Sequence, residues 1–124
     1  MKKLTSTILA IVFGSVLVLT GCGSNNSKVS EGVNKMLDTT DQLSKAIDSG
    51  DQAKVKEIGP NLEDQWKVFE DDVKKDYKEI YGEIENYLDP TIAGSEAPEF
   101  DKEALKTLND QLTNALKELS DKTK

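Results

Sequence analysis

The sequence predicts an all-α protein, an up-down-up-down four-helix bundle behind a cleaved signal peptide. Three observations predict it. From Lys28 onward, apolar residues recur three and four positions apart, the spacing of one face of an α-helix. No stretch alternates apolar and polar residues as a half-buried strand does. Gly and Pro fall between the periodic stretches and divide them into four. The predicted organisation is a signal at 1–21, a flexible tether at 22–27 and a helical domain at 28–121.

The N-terminal segment opens with the basic Met1-Lys2-Lys3 and continues as an apolar stretch to Leu19. A basic start, a short apolar core and small residues at the end describe a secretory signal. The competing reading, a membrane-spanning helix, needs roughly 20 apolar residues, and the core from Ile8 to Leu19 is shorter. Leu19-Thr20-Gly21-Cys22 resembles the bacterial lipobox, in which an aliphatic residue and two small ones precede a Cys. The resemblance implies cleavage between Gly21 and Cys22 and a diacylglyceryl thioether on the Cys22 sulfur. Cys22 is the only Cys, so no disulfide framework or thiolate metal cluster can form within the chain. Multiple acyl chains give stable anchoring, since each buried methylene contributes about 0.8 kcal/mol. The expected location is the extracytoplasmic face of the cell membrane, with membrane lipid as the first partner.

Residues 22–124 hold fourteen Lys, no Arg and twenty-three acidic side chains, a formal charge of −9. That balance excludes a nucleic-acid partner, because phosphate binding needs clustered Lys or Arg. It also opposes a domain lying flat on anionic lipid.

The first predicted helix carries Val29, Val33, Met36, Thr40, Leu43 and Ile47 in heptad-like spacing. Ser49-Gly50 ends it, with Gly50 as the cap, and Asp51 is the expected N-cap of the next helix. Gly59-Pro60 breaks the second segment. The stripe then resumes through Leu62, Trp66, Phe69, Val73, Tyr77, Ile80, Ile84 and Leu88 without leaving register. One helix of that length would run about 40 Å at 1.5 Å per residue. A turn near Lys74-Lys75-Asp76 is therefore expected. Asp89-Pro90 should end or bend the third segment, and Thr91 to Glu99 reads as a loop. The last helix should reach Ser120 along Leu105, Leu108, Leu112, Leu116 and Leu119, with Asp121 to Lys124 frayed.

The sequence has no His, no phosphate-cradling glycine loop and no nucleophile elbow. No enzymatic activity and no cofactor are expected. Trp66, Phe69 and Tyr77 read first as core, whereas Tyr81 and Tyr87 lie off the stripe's centre and suit contact with a partner. The acidic run between Glu63 and Glu85 reads first as a solvated face with Lys pairs such as Glu63–Lys67, Asp71–Lys75 and Glu70–Lys74. Glu63 and Glu70 fall on one helical face about Trp66, and a hairpin would bring Glu85 towards Glu70. Carboxylates without His or Cys suit hard cations or ferric iron.

Ser49-Gly50-Asp51 opening a helix, Trp66 four residues before Glu70, and Tyr81 followed by Ile84-Glu85 resemble a helical module of bacterial iron uptake. The likeness is to the extracytoplasmic helical domain of iron permeases and to imelysin-like iron-uptake lipoproteins, and it covers Asp48 to Leu88. It implies a helical bundle associated with metal uptake. It does not imply an iron site, because the imelysin-like metal motif contains His and this chain has none. Carried over by position, Trp66, Glu70, Tyr81 and Glu85 are the residues to test.

Three functions follow as expectations. The first is a lipid-anchored binding module serving a membrane or envelope protein such as a transporter, with Trp66, Tyr81 and Tyr87 as contact residues. The second is a carboxylate-based iron or metal binder using Glu70 and Glu85. The third is self-association through the regular seams of the first and last helices.

Overall fold

A computed structural model describes residues 24–124, with side chains from residue 26. The signal at 1–21, Gly21 and Cys22 lie outside the described residues. Among those described, the chain is all-helical, with six segments: α1 Ser24–Ser49, α2 Gln52–Ile58, α3 Asn61–Lys67, α4 Glu70–Asp76, α5 Lys78–Glu96 and α6 Lys102–Lys122. Of the three long helices, α6 packs against both α1 and α5, and the three short ones lie against α1 and α5 in turn.

The expected tether is shorter than 22–27, because α1 already begins at Ser24. Tertiary contacts extend it: Val29 is buried, Lys28 pairs with Asp72 at 3.3 Å, and Tyr77 donates to Asn26 Oδ1 at 3.1 Å. The far end of α1 closes as its sequence predicts. Gly50 has φ +69, its amide donates to Ile47 O and the Asp51 amide to Ala46 O, a Schellman pair. Asp51 then caps α2 by accepting from the Lys54 amide at 3.1 Å.

Gly59-Pro60 separates α2 from α3, as expected. The next stretch breaks twice. Phe69, at φ −133, separates α3 from α4, and Tyr77, also at negative φ, separates α4 from α5. The expected turn thus falls one residue beyond Asp76. Neither break requires Gly, since φ is negative at both. The break at Phe69 drives its ring against Gly32, where a Cβ would overlap the ring. Leu62, Trp66, Phe69 and Val73 all stay buried while Val68 is left 63% exposed.

The loop expected at Thr91 to Glu99 is instead mostly helix. α5 runs through Pro90 to Glu96 and buries Thr91, Ile92 and Ser95. Pro90 removes one backbone donor. The helix continues nonetheless because Thr91, Ile92 and Ser95 are buried beyond Pro90; there Thr91 Oγ1 donates to Tyr87 O at 2.6 Å and Ser95 Oγ to Ile92 O at 2.6 Å. Gly59 and Gly94 let α5 approach closely, the first facing Ser95 and the second Leu105.

α6 starts at the Asp101 cap, which accepts from the Ala104 amide at 3.0 Å, and extends past Ser120 to Lys122. Its seam differs from the expected one at a single position. Asn109 is buried and Leu108 only half-buried. Asn109 Nδ2 donates to Thr40 O across the α1–α6 interface at 2.9 Å, while its Oδ1 has no partner. The pair continues the heptad rhythm, since Leu105, Asn109, Leu112, Leu116 and Leu119 step by four and three. The seams of α1 and α6 are buried against each other within one chain.

Candidate functional site

Trp66, in the last turn of α3, sits where the short helices meet α5. Its indole is 2% exposed. The indole nitrogen donates to Glu85 Oε1 at 2.5 Å. Tyr81, one helical turn before Glu85, stacks on the indole at 5.8 Å between centroids and 24° between planes. Phe69 meets the indole edge-on at 5.2 Å and 82°. Lys74 Nζ lies 5.7 Å from the Tyr81 ring centroid, a cation–π distance. The bend at Tyr77 makes this possible by returning the chain, so that a residue of α4 lies over a residue of α5.

Glu70 stands at the same corner. The Tyr81 phenol is held above its ordinary range, first by burial, then by the negative charge of Glu85, Glu70, Asp71 and Asp89. A phenol favoured in its neutral form by folding stabilises the fold below its unfolded pKa of 10.0, and that stability is lost as pH rises through the raised value. Unfolding midpoints are therefore expected to fall above about pH 10, and Tyr81→Phe should lessen the fall. An unchanged slope in Tyr81→Phe would show that the phenol is not the titrating group.

Of the four residues singled out by position, Trp66, Tyr81 and Glu85 thus converge, and Glu70 acts on Tyr81 through its charge. Tyr87 does not join them. It is half-buried beside a shallow groove between α5 and α6, with Asn86, Gln111 and Asn114. Two of the expected Lys pairs are replaced. Glu63–Lys67 forms at 3.1 Å, but Lys74 turns to Tyr81, and Asp72 rather than Asp71 makes an ion pair, with Lys28. Glu63 and Glu70 do not share a helix, because Phe69 separates α3 from α4. The place of Lys74 over the Tyr81 ring had no marker in the sequence, since it depends on the bend.

At its Tyr81 edge the cluster can offer a ligand or partner the phenol as a hydrogen-bonding group and the Lys74 and Glu85 charges. Among the described residues, no three His, Cys, Asp or Glu side chains come together to hold a metal ion. Glu85 already spends one oxygen on the Trp66 indole. Among the described residues, no helix is long and apolar enough to cross a membrane.

Fold and site define an all-helical domain with a buried Trp that carries a Tyr and a carboxylate to its surface, and in sequence the chain resembles iron-uptake proteins. It is 28% identical over 135 residues to the iron uptake system component EfeM of Bacillus subtilis (strain 168). The alignment takes in 95% of this chain and 35% of that protein, so the chain spans about a third of its relative's length. No family model and no solved structure matches.

Proposed function

We propose that the chain is a lipid-anchored, extracytoplasmic helical module of iron uptake that binds a membrane or envelope protein, such as a transporter, and catalyses no reaction itself. In this reading α2, α3 and α4 are one broken leg of an up-down-up-down four-helix plan, and Cys22 carries the lipid. The observation that supports it most is the similarity to an iron-uptake component across 95% of the chain. The Tyr81 edge of the cluster is its contact surface. Deleting the chain in the producing cell is expected to lower uptake of radioactive iron. A Cys22→Ser copy, released from the membrane, should not restore it. Undiminished uptake in the deletion strain would overturn the reading.

A second reading is a carboxylate-based iron or metal binder. Its support is that Glu70 and Glu85 both bear on Tyr81. Two carboxylates leave a ferric or calcium ion short of the six or more oxygen ligands such cations take, so it stands second. Calorimetry of residues 24–124 with ferric, ferrous, calcium and manganese ions tests it. Saturable heat abolished by Glu70→Ala and Glu85→Ala supports it; absence of heat, or heat that survives both changes, removes it.

A further inference from the structure

Three separate parts of the chain meet at one end of the molecule. The Tyr77 hydroxyl donates to Asn26 Oδ1 at 3.1 Å, which ties the bend between α4 and α5 to the start of α1. The end of α6 arrives beside both: Thr123 shares a groove with Asn26 and Ser27, and Lys122 shares another with Asp76 and Tyr77. The opposite end holds the Gly50 turn. There the Gln52 side chain ties down the loop before α6, donating to Ala97 O and accepting from the Phe100 amide, each at 3.1 Å.

Cys22 precedes Ser24 by two positions. Two residues span at most about 7 Å even when fully extended. A lipid on Cys22 therefore holds the Asn26–Tyr77–Lys122 end against the headgroups. The −9 formal charge over residues 22–124 opposes laying a long face on an anionic surface. The end itself offers a smaller footprint, in which Lys78, Lys122 and Lys124 offset part of the charge of Asp76, Glu79, Glu83, Glu118 and Asp121.

We propose that the domain stands end-on on the bilayer, resting on the Asn26–Tyr77–Lys122 end. The proposal rests on the reading that Cys22 is acylated. It places the cluster low. Tyr81 and Glu85 lie one and two turns along α5 from Tyr77, about 6 and 12 Å at 1.5 Å per residue. The Gly50 turn, by contrast, lies about 39 Å up the 26 residues of α1. A partner reading Tyr81 and Glu85 must then reach close to the headgroups, as the outer face of a membrane-embedded protein does.

The test uses the full acylated chain in vesicles of phosphatidylethanolamine and phosphatidylglycerol with an acceptor dye on the headgroups. A donor is placed on Lys122→Cys or on Glu99→Cys, each the only free thiol once Cys22 is acylated. Flotation of the protein with the vesicles is checked first. Energy transfer is expected to be several-fold stronger from position 122 than from position 99. Equal transfer from the two positions, or stronger transfer from 99, in protein that floats would overturn the upright stance alone. Failure to float would overturn the anchoring reading, and the stance with it.

Discussion

Trp66→Ala is expected to cost about 3–5 kcal/mol, the range for truncating a large buried aromatic side chain. The indole is almost wholly buried and touches Phe69, Tyr81 and Glu85 at once, so its removal opens the joint between the short helices and α5. A domain of this size has only about 5–15 kcal/mol in total, so the variant should be near its unfolding threshold at ordinary temperature. Trp66→Phe separates packing from hydrogen bonding. It keeps a ring in the joint and loses only the indole donor, and half-exposed Glu85 can take water instead. That change should cost about 1 kcal/mol beyond any repacking. Urea unfolding followed by helical circular dichroism measures both. A Trp66→Ala midpoint close to that of Trp66→Phe would show that the indole does not anchor the joint.

The second large effect is expected at Gly59, and local and tertiary arguments give it opposite signs. Gly59 has φ −52 and ψ −51, right-handed helical angles that Ala adopts freely. On backbone entropy alone, Gly59→Ala would stabilise the protein by about 0.4–1 kcal/mol. A Cβ here, however, would overlap the buried Ser95 side chain, which has little room to rotate because its hydroxyl is bonded to Ile92 O. Forcing the contact apart should cost about 1–3 kcal/mol, so the steric term wins. The partner change identifies the cause. Ser95→Gly alone should cost about 1 kcal/mol as a helix-interior glycine. Combined with Gly59→Ala it should recover much of the loss, giving a favourable coupling in a double-mutant cycle. Additive losses would place the strain elsewhere. Gly50 is the converse case: its φ of +69 demands glycine, while the space around it is open.

Much of the site was legible because it sits on periodic helices. Tyr81 and Glu85 are four apart and share one face of α5, as expected, whereas Trp66 and Glu70, also four apart, fall on either side of the break at Phe69. That Trp66 meets Tyr81 and Glu85 needed the bend at Tyr77. Its φ is negative and requires no Gly, so none announced it. Lys74 over the Tyr81 ring is a product of the same bend. Asn109 was hidden for a different reason. Ranking positions by hydropathy selected Leu108, although Asn109 keeps the better heptad step and finds the Thr40 carbonyl.

Taken alone, the sequence determined the helical class, nearly all of the core stripe of each long helix, the cap at Asp51 and the stop at Gly50, because all of these depend on side chains within one or two turns of each other. Only the tertiary structure decided that α1 extends back to Ser24, that α5 continues through Pro90 and that the helix stripe from Leu62 to Leu88 divides at Phe69 and Tyr77. In each case burial against a distant segment outweighs a local preference. Asn26 is held by Tyr77, Ile92 and Ser95 are buried beyond Pro90, and the Phe69 ring fills the space above Gly32. Local preferences amount to about 1 kcal/mol for most residues and about 3 for a helical Pro, whereas burying one large apolar side chain contributes about 1.5–3 kcal/mol. A few such contacts acting together therefore override the local signal.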